Sequence, residues 1–151
     1  MGYYGNAVRN AVYESCLNAS FARTGACVGL LSSSKEAKWK ELVPSHDDHL
    51  DVQNSVKTKA IAQMIGGKPF QELDRRLRQE LLAIDGATLL DHKGIALAVG
   101  AILKIPGGST GGGRLAAAKE LSKSGLGIKV SQDGGIRGFH DGKEEPKFFV
   151  M

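Results

Sequence analysis

An aspartate in a tight turn and a glycine-rich loop that leads into a helix are the features of this chain best suited to chemistry. The aspartate is Asp85, within the run Ile84-Asp85-Gly86-Ala87, and the loop extends from Pro106 to Gly113. Backbone N–H groups in such a loop, together with the positive end of a helix dipole, bind phosphate groups. A carboxylate nearby can hold a metal ion or a ribose. The two segments therefore predict a nucleotide site, with Arg114 at the start of the following helix.

Each segment also has a plainer interpretation. Asp-Gly pairs occur in many turns in which the aspartate binds its own backbone. The loop lacks the lysine and the Ser/Thr of a Walker motif, which also fits a flexible surface connection. The surrounding order of elements favours the functional interpretation of both segments.

A third cluster with metal-binding side chains is His46-Asp47-Asp48-His49. Neighbouring residues of a helix or strand point in different directions, so only a loop brings four adjacent side chains together. Short polar clusters between elements are usually loops, and we interpret this one as a solvated loop and not as a metal site.

The composition is that of one globular domain. The chain has 151 residues, 42% of them hydrophobic and 24% charged, enough for a single core. No apolar run approaches the roughly 20 residues that cross a bilayer, and the N-terminus has no basic region or long apolar core typical of a signal peptide. We therefore expect no membrane contact and a cytoplasmic location. Cys16 and Cys27 are expected to be free, buried thiols in a reducing compartment.

A net charge of +4 favours anionic partners without selecting one. The basic residues are scattered and the few aromatic residues do not alternate with them. Binding of nucleic acid is thus left open by the sequence.

Hydrophobic periodicity predicts helices first and then strands with one embedded helix. This order argues for an α+β fold in which helices cover a mixed sheet. We place the domain in residues 1–140 and a charged C-terminal tail in residues 141–151. The predicted helices are 3–20, 36–42, 55–65, 69–82 and 114–124, and the predicted strands are 25–31, 87–90, 95–105, 127–131 and 135–139.

This order of motifs resembles the diadenylate cyclase domain, the family of the DisA N-terminal domain. The resemblance extends from about residue 7 to residue 139. Its most specific parts are the Asp-Gly-Ala turn and the glycine-to-arginine helix start. The matching runs are Gly25-Ala26-Cys27-Val28-Gly29-Leu30, Ile84-Asp85-Gly86-Ala87, Gly94, Gly112-Gly113-Arg114-Leu115-Ala116-Ala117-Ala118 and Val130-Ser131-Gln132-Asp133-Gly134-Gly135-Ile136.

The resemblance implies a mixed, mostly antiparallel sheet flanked by helices. It also implies ATP as ligand and a homo-oligomer, because active members join two ATP molecules, one on each of two facing protomers, into cyclic di-AMP. The 3′-hydroxyl of one ATP then attacks the α-phosphate of the other, and Mg²⁺ or Mn²⁺ neutralises the developing charge.

The resemblance also assigns roles to individual residues. Asp85 matches the catalytic aspartate near the metal and ribose, and Gly86 and Ala87 complete its turn. Arg114 matches the first arginine of an Arg-His-Arg stretch that contacts phosphates. The other nucleotide-binding positions are Gly112, Gly113 and Ser131.

Several positions depart from the family pattern. Leu115 and Ala116 replace the histidine and the second arginine, Gly113 stands where active members usually have threonine, and Gln132 replaces an acidic residue that helps to hold the metal. A charge-assisted hydrogen bond contributes about 1.5–3 kcal/mol, so these losses predict a rate lower by several powers of ten. Lysines elsewhere, such as Lys104, supply a point charge but no bidentate fork.

Three functions remain open from the sequence. The first is a sensor-type domain that binds ATP or a cyclic dinucleotide with weak or no catalysis. The second is an active diadenylate cyclase that uses Mg²⁺ or Mn²⁺. The third is a domain with an empty pocket that serves assembly or nucleic-acid contact.

Overall fold

The computed structural model describes the backbone of residues 3–105 and 113–150, and these residues form an α+β fold around one sheet. Within them the sheet has six strands in the order β3-β2-β1-β4-β5-β6. Only β1 and β2 run parallel, and the other neighbours in this described sheet are antiparallel. The mixed, mostly antiparallel sheet flanked by helices is therefore confirmed. The helices are α1 Tyr3–Ala22, α2 Trp39–Leu42, α3 Val56–Ile65, α4 Arg75–Ala83 and α5 Gly113–Ser122, and the strands are β1 Ala26–Leu31, β2 Ala87–Leu90, β3 Ala96–Ala101, β4 Gly125–Val130, β5 Ile136–His140 and β6 Lys143–Val150.

Strand β1 divides the interior into two cores. Its side chains alternate between the two faces of the sheet, as strand geometry requires. Ala26 and Val28 face the larger core with α1, α3 and α4, whereas Cys27 and Leu31 face a second core with α2 and α5. Both faces are thus covered by helices, which explains why β1 is a continuous apolar run.

Helix α3 has the boundaries that its sequence predicts. Ser55 and Thr58 form a capping box at its start, and Gly66 ends it in the left-handed conformation, with φ +62°. Helix α4, in contrast, begins at Arg75 and not at Pro69 as predicted. Phe70–Glu72 form a separate 3₁₀ turn, and Leu73 is extended with ψ 150°, so the apolar spacing continues across two elements.

Helix α5 lies directly on the sheet because two glycines give it room. A Cβ at Gly29 would meet the Leu121 side chain at 2.9 Å, and a Cβ at Gly127 would collide with the Ala118 carbonyl of the helix backbone. The absence of side chains at these positions sets the height of α5 above β1 and β4, and with it the position of the helix N-terminus.

The segment predicted as a charged tail continues the sheet. Asp141 and Gly142 have φ values of 54° and 78°, as in the two-residue turns that close hairpins. They join β5 to β6, in which Lys143 pairs with His140. The domain that we ended at residue 140 thus extends through β6. Among the described residues, no helix combines the length and the apolar character needed to cross a membrane.

Candidate functional site

A cavity of about 540 Å³ opens where β1 and β2 begin, β3 ends and α5 starts. Its volume is in the range of small-molecule pockets. Backbone polar groups and apolar side chains share the wall, together with one acidic and one basic side chain. The lining residues are Cys27, Asp85, Gly86, Ala87, Gly100, Ala101, Ile102, Leu103, Ile105, Gly113, Arg114 and Ala117.

Asp85 lies exposed on the rim of this cavity, in the bend between α4 and β2. The next residue, Gly86, has φ +112°, and a Cβ there would lie 2.5 Å from the backbone of Gly100. Only glycine permits this close crossing of the two chains. The Asp85 carboxylate has no hydrogen bond or ion pair with any described residue, so it is not satisfying its own turn, as the plainer interpretation required.

The Gly100 end of this close crossing is held by Lys57, which the sequence did not single out for this site. Its Nζ donates to the Gly100 carbonyl and to Asp48 Oδ1, both at 2.7 Å. Gly100 has φ +62°, and its carbonyl faces Lys57 as a result. Gly100 thus marks a close backbone approach near the end of β3. Lys57 therefore joins α3 to the end of β3 and holds the rim in place.

Arg114 enters the cavity from the first turn of α5. Its guanidinium lies against the backbone of Gly25, so closely that a Cβ at Gly25 would collide with it. Arg114 is half-buried, and no described residue forms an ion pair or hydrogen bond with its side chain. The positive end of the α5 dipole adds to this charge. A cation without an anionic partner, at a helix N-terminus inside a cavity, is the arrangement that binds phosphate.

The cavity floor contains a buried thiol. Cys27 is 2% exposed, and burial raises its pKa to about 12, although Arg114 acts in the opposite direction. The thiol is therefore protonated at neutral pH and acts as a small apolar group, as predicted. Together with Ala87, Ala101 and Leu103 it forms a surface that suits a flat apolar group such as a base.

The structure brings together most of the residues predicted for the site. Asp85, Gly86, Ala87, Gly113 and Arg114 line the same cavity. Ser131 lines a second one instead. Gly112 and most of the glycine-rich loop lie outside the described residues.

The positions at which the sequence departs from the family pattern carry uncharged side chains, and the structure shows where these side chains lie. Leu115 packs at the edge of the second core, and Gln132 is exposed in the turn after β4. Lys104 is exposed, and its backbone N–H donates to the Leu42 carbonyl. The sequence reasoning missed Lys57 and Asp48 because their contribution depends on which strand α3 packs against.

The histidine-aspartate cluster forms a 3₁₀ turn over His46–Asp48. His49 is buried, and its Nε2 is 2.7 Å from the Val43 carbonyl. Asp48 is bound to Lys57. The segment is thus only partly a solvated loop, because His49 and Asp48 hold it against neighbouring elements.

Within the part of the chain that the structure describes, no three His, Cys, Asp or Glu side chains are grouped to hold a metal. Of the described residues that line the cavity, Asp85 is the one that offers a free carboxylate. Mg²⁺ is commonly held by one or two carboxylates together with nucleotide phosphates and water. This donor set therefore fits a metal that arrives with a nucleotide, with Asp85 as its protein ligand.

Comparison with known proteins identifies the fold. No family model and no curated protein matches the sequence. The structure is similar to DacA from Staphylococcus aureus, a double mutant, with a TM-score of 0.54 and 17% identity over 91% of this chain and 84% of that one. It is also similar to a hypothetical membrane spanning protein from Bacillus cereus, with a TM-score of 0.59 and 16% identity over 95% of this chain and 63% of that one. The α+β architecture is therefore shared with DacA.

Proposed function

We propose that this domain binds a nucleotide, ATP or a cyclic dinucleotide, as a sensor-type domain with weak or no catalytic activity. The observation that carries the proposal is the pairing of Asp85 and Arg114 in one cavity. Neither charged group has a partner among the described residues, although both line a partly apolar pocket. Charged groups left without partners in a concave site are usually kept for a ligand.

The parts of a nucleotide correspond to the parts of the cavity. Phosphate oxygens suit the α5 N-terminus and Arg114, where the helix dipole and the guanidinium both favour negative charge. The base suits the apolar floor around Ala87 and Leu103. Asp85 then meets the ribose or a Mg²⁺ or Mn²⁺ ion bound to the phosphates.

The comparisons support nucleotide chemistry for this fold, since DacA is a diadenylate cyclase. Weak catalysis is inferred from the chain itself. Leu115 and Ala116 follow Arg114 and carry no charge, so the cavity has one cation at the helix start. Phosphoryl transfer depends on several charges around the phosphate. We also propose a cytoplasmic location, which the free cysteines support.

Calorimetric titration with ATP, with and without Mn²⁺, tests the proposal. We expect saturable binding that Arg114→Ala weakens by about 10- to 100-fold, because the lost hydrogen bonds to phosphate are charge-assisted. We expect Mn²⁺ to increase the affinity for ATP, and Asp85→Ala should remove this increase. The matched controls are Arg76→Ala on α4 and Asp74→Ala at the N-cap position before it, both exposed and neither lining the cavity. Both should bind as the wild type does. Absence of binding at millimolar ATP, with the fold intact by circular dichroism, would refute the proposal.

A second candidate is an active diadenylate cyclase, favoured by the free carboxylate of Asp85 at the cavity rim. Chromatography of ATP and Mn²⁺ incubated with the protein would reveal cyclic di-AMP. Because the resemblance implies two facing protomers, specific activity should rise with protein concentration. Asp85→Ala must abolish the product if the protein makes it. If the protein neither binds nucleotide nor forms product, salt-dependent binding to nucleic acid would favour the third function. In that case the domain serves assembly or nucleic-acid contact and its pocket is empty.

A further inference from the structure

A second cavity, of about 630 Å³, lies at the same end of the sheet. Its wall combines an exposed aromatic ring, Phe21, with three cations, Arg23, Lys129 and Arg137. Phe21 is 83% exposed, so its ring is accessible to a ligand for stacking. Aromatic rings beside cations are the common elements of sites that bind nucleotides without reading their sequence.

The two cavities adjoin across one pair of strands. Cys27 in β1 is directly opposite Lys129 in β4, and their side chains therefore share the α5 face of the sheet. Directly opposed residues have Cβ atoms about 4.5–5.5 Å apart. Cys27 lines the first cavity and Lys129 lines the second, so the two cavities are neighbours on this face of the sheet.

The charges of the second cavity are unbalanced. Lys129 and Arg137 are directly opposite each other in β4 and β5, and like charges in this arrangement repel. Glu144 neutralises Arg137 through two hydrogen bonds of 2.8 and 3.0 Å, and the bond to Arg137 holds the pKa of Glu144 below its usual range. Lys129 is half-buried and has no ion pair with any described residue. The carboxylate of Asp133 accepts a bond from Gly135 N–H in its own turn.

Arg23 occupies a strained position beside this cavity. It ends α1 with φ +60°, a conformation that usually selects glycine. Its guanidinium donates to the Asp133 carbonyl and so holds the turn after β4 against α1. The cavity wall is therefore a built surface, with its turn fixed on one side and Lys129 free on the other.

We propose that the second cavity is a subsite for a second nucleotide unit, so that the ligand of this domain is a dinucleotide that spans both cavities. Lys129 binds the phosphate that links the two units, and the second base stacks on Phe21. This inference rests on the proposed function, because Asp85 and Arg114 hold the first unit.

Calorimetry with AMP and with the linear dinucleotide pApA separates the two subsites. We expect pApA to bind at least tenfold more tightly than AMP. Phe21→Ala and Lys129→Ala should each weaken pApA binding by about tenfold, since stacking and charge-assisted contacts have this magnitude, and should leave AMP binding unchanged. Phe21→Tyr should retain the wild-type affinity. Val56→Ala and Lys59→Ala, exposed positions on α3, are the matched controls.

A gain in affinity provides a test that a loss of folding cannot imitate. Glu144→Gln frees the guanidinium of Arg137 and should tighten pApA binding several-fold without changing that of AMP. The subsite is refuted if pApA binds no more tightly than AMP, or if Phe21→Ala and Lys129→Ala leave pApA affinity unchanged. It is refuted equally if these variants weaken AMP as much as pApA. Failure of AMP, ATP and pApA alike to bind would refute the proposed function itself.

Discussion

The contact between Gly25 and Arg114 predicts that a single methyl group added at Gly25, the residue before β1, weakens nucleotide binding although Gly25 does not line the cavity. In Gly25→Ala the new Cβ collides with the guanidinium, which moves because it is the end of a flexible side chain. We expect nucleotide affinity to fall about tenfold, as for one displaced charge-assisted bond, with an unchanged melting temperature. Calorimetry and thermal unfolding measure the two quantities.

A double-mutant cycle shows whether this effect acts through Arg114. Gly25→Ala should cause no further loss of affinity when Arg114 is already alanine, because the two changes remove the same interaction. Additive losses would contradict the mechanism. Lys59→Ala, at an exposed position of α3 that lines neither cavity, is the control.

At the residue scale, sequence reasoning found what adjacent residues encode. The Asp85-Gly86 pair is typical of a turn, and Arg114 follows the glycines that precede a helix. These positions could therefore be predicted together, and in the structure they line one cavity. Lys57 was missed because its importance arises from the Gly100 carbonyl, 43 residues away in sequence. No local pattern encodes such a contact.

At the scale of elements, the errors come from boundaries that tertiary contacts decide. The apolar spacing of Phe70 and Leu73 matches a helix, but the Phe70 N–H donates to the Gly94 carbonyl at 2.8 Å. This bond holds the segment in a short turn before α4. The strand β6 was missed because its residues are charged, although Asp141-Gly142 is a hairpin signal that could have identified it.

The position of α5 leads to a prediction at this scale. A Cβ at Gly127 would collide with the Ala118 carbonyl, which is backbone and cannot rotate away. We expect Gly127→Ala to reduce the free energy of unfolding by about 1–3 kcal/mol, the usual cost of overpacking. For a domain of this size the melting temperature should fall by roughly 2–12 °C. Nucleotide affinity should decrease as well, because the helix carries Arg114.

Denaturant and calorimetric titrations of Gly127→Ala, with Lys59→Ala at an exposed position of α3 as the control, measure both effects. Wild-type stability in Gly127→Ala would show that α5 does not lie on the sheet at this point. A loss of stability without any loss of affinity would show that the helix N-terminus does not take part in binding.

At the scale of the whole molecule, the two cores lie on opposite faces of one sheet. The cavity with Asp85 and Arg114 lies beside only one of them, the core under α5. Cys16 is buried in the core of α1, α3 and α4, and Cys27 in the core of α5. Burial raises the pKa of both thiols to about 12. Neither is reactive while it is covered. Each thiol therefore reports the opening of its own core.

Ligand binding should protect these thiols unequally. A ligand at 100 times its dissociation constant stabilises the bound state by about 2.7 kcal/mol, or about 100-fold in the population of open states. We expect ATP to slow disulfide-reagent labelling of Cys27 by up to this factor, because every opening that exposes Cys27 also disrupts the cavity that it lines. Labelling of Cys16 should slow less, since openings of α1 leave α5 in place. The variants Cys16→Ala and Cys27→Ala isolate the two rates, and equal protection of both thiols would contradict independent opening of the two faces.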